Sequence, residues 1–124
     1  GAVECGTMKC DTTTDLCCVS GNGTAADGGR TRTCEDAGLL ACIGGTTQRC
    51  DEAADCKNNE ICCGRLTLGG VGTTSCESKQ IGCIAAVQVC ATDQECPQGG
   101  TCVPHVCGTR VVGTCGPVSN FVCP

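Results

Sequence analysis

A chain of 124 residues has the length of one ordinary domain, but this one holds 18 Cys and 19 Gly against a single Phe and no Trp or Tyr. Its 8 Lys and Arg against 13 dispersed Asp and Glu leave a net charge of −5 and no basic patch, which argues against nucleic acid as a partner. No stretch is long and apolar enough for a membrane span, so none is expected.

Aromatic side chains supply much of the buried area of ordinary cores. Lacking them, the chain cannot offset its ordering entropy without cross-links, and a cysteine fraction this high is that of a secreted disulfide scaffold. Neither C-x2-C nor C-x-C occurs, so close thiolate pairs for zinc are missing, and no metal or cofactor is expected. Eighteen is even, so nine bridges can use every thiol. Bridges in that number persist only in an oxidising compartment, which predicts an extracellular protein whose signal peptide is removed before Gly1.

The cysteines read as three sixes, predicting tandem units over 1–49, 50–89 and a divergent 90–124. The first six are Cys5, Cys10, Cys17, Cys18, Cys34 and Cys42, and the second are Cys50, Cys56, Cys62, Cys63, Cys76 and Cys83. The third are Cys90, Cys96, Cys102, Cys107, Cys115 and Cys123, with the CC dipeptide opened by "VPHV". Between Cys18 and Cys34 runs a Gly-rich loop followed by "RTRT", a predicted strand. That loop contains Asn22-Gly23-Thr24, which has the form of an N-glycosylation acceptor and equally of a turn. In the second unit "CDEAADC" predicts one helical turn or a tight loop, and "GRLTLGGVGTTSC" predicts a β-hairpin around Gly69-Gly70. The third unit repeats this with "CATDQEC" and the shorter "CGTRVVGTC". The expected fold is small, disulfide-rich and mostly β or irregular: three hairpins in an elongated row, each pinned by three bridges, with little helix.

"CDEAADCKNNEICCG", with its C-x5-C-x5-C-C spacing and Asp55 before Cys56, resembles the central signature of the whey acidic protein four-disulfide core. The resemblance implies a Cys50–Cys62 bridge and, by repetition, Cys5–Cys17 and Cys90–Cys102. The remaining cysteines then pair across each hairpin, Cys56 and Cys63 with Cys76 and Cys83. Many members of that family inhibit serine proteases through a loop upstream of the signature, and this chain has no matching upstream pair. Over nearly its whole length the spacing is similar to secreted cysteine-rich tandem-repeat proteins of bacteria, which implies a surface or matrix role.

Catalytic chemistry is sparse. His105 is the one histidine, and neither Ser75 nor Ser119 lies in a nucleophile motif, so no enzyme is expected. Asp51, Glu52, Asp55 and Glu60 form an acidic cluster without EF-hand spacing, which reads as a solvated loop. Inhibition of a protease would need a presented basic residue, of which Arg30, Arg49, Arg65 and Arg110 are the candidates. By contrast "GLLACI" at 38–43, "IAAVQV" at 84–89, "TRVVGT" at 109–114 and "NFVC" at 120–123 are β-prone and mostly uncharged, and nothing in their pattern blocks an edge with Lys or Pro. The sequence therefore predicts a structural subunit that self-assembles by edge-strand or head-to-tail contact into an extracellular filament, appendage or matrix. The second reading is a protease inhibitor or other loop-presenting binding module.

Overall fold

The computed structural model describes residues 2–5, 7–20, 31–38, 42, 45–67, 70–107 and 110–118, with only the backbone at 66, 67, 70, 71, 107 and 110. The chain is a small all-β protein. Its first strands, β1 (Ala2–Cys5) and β2 (Met8–Asp11), form a two-stranded antiparallel hairpin. The remaining strands are β3 (Asp15–Ser20), β4 (Thr31–Asp36), β5 (Thr46–Gln48), β6 (Glu60–Thr67), β7 (Gly70–Ser78), β8 (Ala86–Cys90), β9 (Cys102–Cys107) and β10 (Arg110–Cys115). They join in one eight-stranded sheet in the order β4-β3-β5-β7-β6-β8-β10-β9. Helix is limited, among the described residues, to the short 3-10 turns Ala53–Asp55, Asp93–Glu95 and Pro97–Gly99. The first two fall in the polar segments "CDEAADC" and "CATDQEC", where one turn is predicted.

The CC dipeptides lie inside strands, and this decides their partners. Successive side chains of a strand point to opposite faces, so two adjacent cysteines cannot serve one partner. In β3, Cys17 bonds Cys5 and packs with Val3, Cys10 and Val19 on one face. Cys18 bonds Cys42 and packs with Leu16 on the other. Buried on both faces, β3 reads as a continuous apolar run instead of an alternation. Cys62 and Cys63 of β6 divide in the same way, to Cys50 and Cys83.

Within each hairpin one cysteine pair stands directly opposed: Cys17 with Cys34, Cys62 with Cys76, and Cys102 with Cys115. These opposed pairs do not bond one another. Each member reaches to the segment upstream of the hairpin, giving Cys5–Cys17 with Cys10–Cys34, Cys50–Cys62 with Cys56–Cys76, and Cys90–Cys102 with Cys96–Cys115. All eight bridges join cysteines within 1–49, within 50–89 or within 90–124. They include the three pairs that the four-disulfide-core resemblance implies, and Cys56 and Cys63 pair with Cys76 and Cys83. Cys123 and the side chain of Cys107 lie outside the described residues.

The hairpins are not separate bodies strung in a row. β5 pairs antiparallel with β3 and parallel with β7, and β8 pairs antiparallel with both β6 and β10, so each links two hairpins into the one sheet. This is where the apolar residues of "IAAVQV" go. Val89 is fully buried with Cys50, Cys62 and Val112, although Ile84 stays exposed. Of the hairpin predicted around Gly69-Gly70, Gly70 opens β7, opposite Thr67. Gly69 itself lies outside the described residues, as do Asn22, Arg30 and Ser119.

Candidate functional site

Among the described side chains every cysteine sulfur is taken up in a bridge. Every cluster of three potential ligands among the described residues contains a bonded cysteine pair, for example Cys50, Cys56 and Cys76. Of the acidic cluster, Asp51, Asp55 and Glu60 hold backbone. Asp55 accepts the Asp51 N–H and Glu60 accepts the Lys57 N–H. Asp51 accepts the N–H of Glu4, 47 residues away, and so ties β1 to the segment that follows β5. Glu95 caps its own turn by accepting the N–H groups of Ala91 and Thr92, and with its other oxygen accepts the N–H of Ala53. This bridging role went unread in the sequence, yet Thr92-x-x-Glu95 is the capping-box spacing that signals half of it.

Asp51 is pushed up to about 7 from its usual 3.8, first by burial, then by its hydrogen bond with the Asp55 side chain, with the charges of Asp55 and Glu52 adding to this. The Glu4 N–H pulls the other way and is outweighed. A carboxyl whose folded pKa is raised binds its proton more tightly in the folded state. Its contribution to stability is therefore complete below about pH 4 and is lost as pH rises through about 7. After discounting for solvent screening, the loss is about 2 kcal/mol. Thermal unfolding at pH 4.5 and pH 7.5 is expected to show this slope, and Asp51→Asn, which keeps the acceptor for Glu4 without a charge, should flatten it. A slope unchanged by the substitution would remove Asp51 as its source.

Other candidate residues are dispersed. His105 sits in β9 with its Nε2 2.9 Å from Thr114 Oγ1, and burial pushes its pKa down. Ser75 bonds Glu77 on β7, remote from His105 in the strand order. Arg65 stands in mid-strand opposite Ala86, and Arg49 follows β5 with its N–H tied to Thr74. Neither is carried on a protruding loop, and the side chain of Arg110 lies outside the described residues. A groove of about 630 Å³ runs between Ile61, Lys79, Gln88, Glu95 and Pro97, and its one carboxylate, Glu95, accepts the backbone N–H groups of Ala53, Ala91 and Thr92.

Exposed apolar side chains are the surface features that remain. On the last hairpin Val106 of β9 and Val111 of β10 are cross-strand partners, 74% and 63% exposed. A second apolar pair, Ile81 and Ile84, lies in the link before β8 and is 68% and 77% exposed. The outer strand β9 is guarded against strand addition, contrary to the expectation that no proline blocks an edge. Pro104 brings no N–H to it, and the Cys102 N–H is already donated to Asp93 Oδ1. The opposite outer strand, β4, carries neither Pro nor Lys.

No family model, no curated protein and no solved structure matches this chain.

Proposed function

We propose that this chain is a secreted structural subunit that assembles with copies of itself into an extracellular filament, appendage or matrix. The observation that supports this best is the exposed Val106–Val111 pair at one end of the sheet, on a body whose bridges already hold it together without those residues. A cystine-stapled body of this kind resists unfolding and proteolysis, which suits an extracellular building block. In this reading residues 1–49, 50–89 and 90–124 are three tandem units, and the sheet is the row in which they stand. Association proceeds through side chains at the β9 end, because the β9 backbone lacks donors at Cys102 and Pro104.

Native, fully oxidised protein should therefore scatter light as large species at high concentration and show ordered particles by negative-stain microscopy. Val111→Asp, at an exposed position, should leave the monomer folded and reduce the assembled fraction. A wild-type protein that remains a monomer at millimolar concentration sinks this reading.

A further inference from the structure

The exposed Val111 shares a cleft with a group of carboxyls, and we infer that assembly through this end of the sheet is switched by pH, with Asp51 as the group that must be uncharged when two copies meet. This names the regulation of the contact proposed above and rests on that reading. The cleft, of about 220 Å³, is lined by Glu4 of β1, Lys9 of β2, Asp51, Glu52 and Val111 of β10. Val111 is exposed, so a second copy that covers it also covers the mouth of the cleft.

Distant parts of the chain build this cleft. Glu4 and Lys9 stand opposite one another across the β1–β2 hairpin. Asp51 follows β5 and accepts the Glu4 N–H at 3.0 Å. Behind it Asp55 accepts the Asp51 N–H at 2.9 Å, and the two side chains are hydrogen-bonded to each other. A hydrogen bond between two carboxyls requires a proton on one of them. Glu95 reaches the same turn by accepting the Ala53 N–H. The charged groups around Asp51 and Glu52, among the described side chains, are thus Glu4, Asp55 and Glu95, with Lys9 opposing them. Arg49, Lys57 and Glu60 line a separate cleft beyond Asp55.

An ordinary aspartate is fully ionised at neutral pH. Asp51 instead titrates at about 7, raised first by burial and then by Asp55, and Glu52 is raised by burial and by the charge of Asp55. Covering the cleft takes further water from these carboxyls, and a contact between two such ends brings two copies of the same negative group together. Both effects favour the protonated form. The associated state therefore binds the Asp51 proton more tightly than the free monomer does. Association is favoured below about pH 7 and weakens as pH rises through that value. His105, on the same hairpin as Val111, is pushed below its usual 6.5 by burial and so titrates outside this window.

Sedimentation equilibrium of the oxidised full chain at pH 6.5 and pH 8.5 tests this. The wild-type dissociation constant should rise roughly tenfold or more between the two. Asp51→Asn should associate equally at both, with the strength of wild type at pH 6.5. Glu52→Gln removes a charge that raises Asp51, so it should move the midpoint of the transition to lower pH. Circular dichroism and intact mass show whether each variant is folded with its bridges closed, and if Asp51→Asn does not fold, the Glu52→Gln midpoint decides. A wild-type protein that associates at neither pH overturns this inference together with the assembly reading. Association of equal strength at both pH values overturns the switch alone. So does a pH dependence that folded Asp51→Asn retains in full, or a midpoint that Glu52→Gln leaves in place.

Discussion

Replacing both Cys50 and Cys62 by serine is expected to unfold the protein or to bring it close to unfolding at ambient temperature. The bridge closes a short loop, with 12 residues of sequence separation, and in the loop-entropy model such a loop contributes about 3 kcal/mol. Burial adds to this. Cys50 and Cys62 are 1% and 0% exposed, at the centre of the cluster with Val89 and Val112. Two serine hydroxyls without partners there cost a further ~1–3 kcal/mol each. A total of about 5 kcal/mol or more is comparable with the whole stability of a small domain. The Cys63–Cys83 bridge gives an internal comparison. It closes a longer loop, with a separation of 20, but Cys83 is only half-buried. Loop entropy alone makes its removal the more harmful of the two, whereas burial makes it the milder. Thermal unfolding of the two double-serine variants decides the order, and we expect burial to dominate. A Cys50/Cys62 variant that melts within a few degrees of wild type would show that the core does not depend on this staple.

The second large effect is expected from a single methyl group. Gly113 lies in β10 where that strand pairs antiparallel beside β8, opposite Cys90. A Cβ built there would stand 2.4 Å from Cys102 Sγ and 2.4 Å from the Cys90 carbonyl oxygen. Both belong to the residues of the Cys90–Cys102 bridge, so neither can move as a flexible side-chain end would. Gly113→Ala must therefore push β10 away from β8 or strain the bridge, and overpacking of this severity costs about 3 kcal/mol or more. The β9–β10 hairpin would lose its hold on the rest of the sheet, since β10 is the strand that joins it to β8. Gly38→Ala is the control, because a Cβ there meets nothing within 4 Å among the described residues. Oxidative refolding yield and melting temperature should collapse for the first variant and stay near wild type for the second. Equal behaviour of the two would mean that β8 and β10 leave room for a methyl group at this position.

Cross-linking and the β character were legible in the residues themselves. A chain with 18 Cys and one aromatic residue has no other way to hold a fold, and the spacing of those cysteines placed the turns at "CDEAADC" and "CATDQEC". Strand alternation also dictated that the adjacent sulfurs of a CC pair serve opposite faces, as Cys17 and Cys18 do. These features depend on covalent limits and on the two-residue period of a strand, both of which are local.

The tertiary structure decided which edges meet. Nothing in "TTQ" or "AVQVC" says that β5 and β8 each lie between two hairpins and weld them into one sheet, because that pairing depends on residues far along the chain. The roles of Asp51 and Glu95 were hidden for the same reason: each carboxylate accepts an N–H from far along the chain, 47 and 42 residues distant. The two outer strands could not be named from sequence either, since "TRTCED" and "CVPHVC" become edges only when strand order is fixed. Once it is fixed, one edge is seen to be closed, by Pro104, which has no N–H, and by Asp93, which accepts the N–H of Cys102. Local chemistry determined how this chain is stapled, and long-range strand pairing determined which of its backbone hydrogen bonds are spent inside and which face outward.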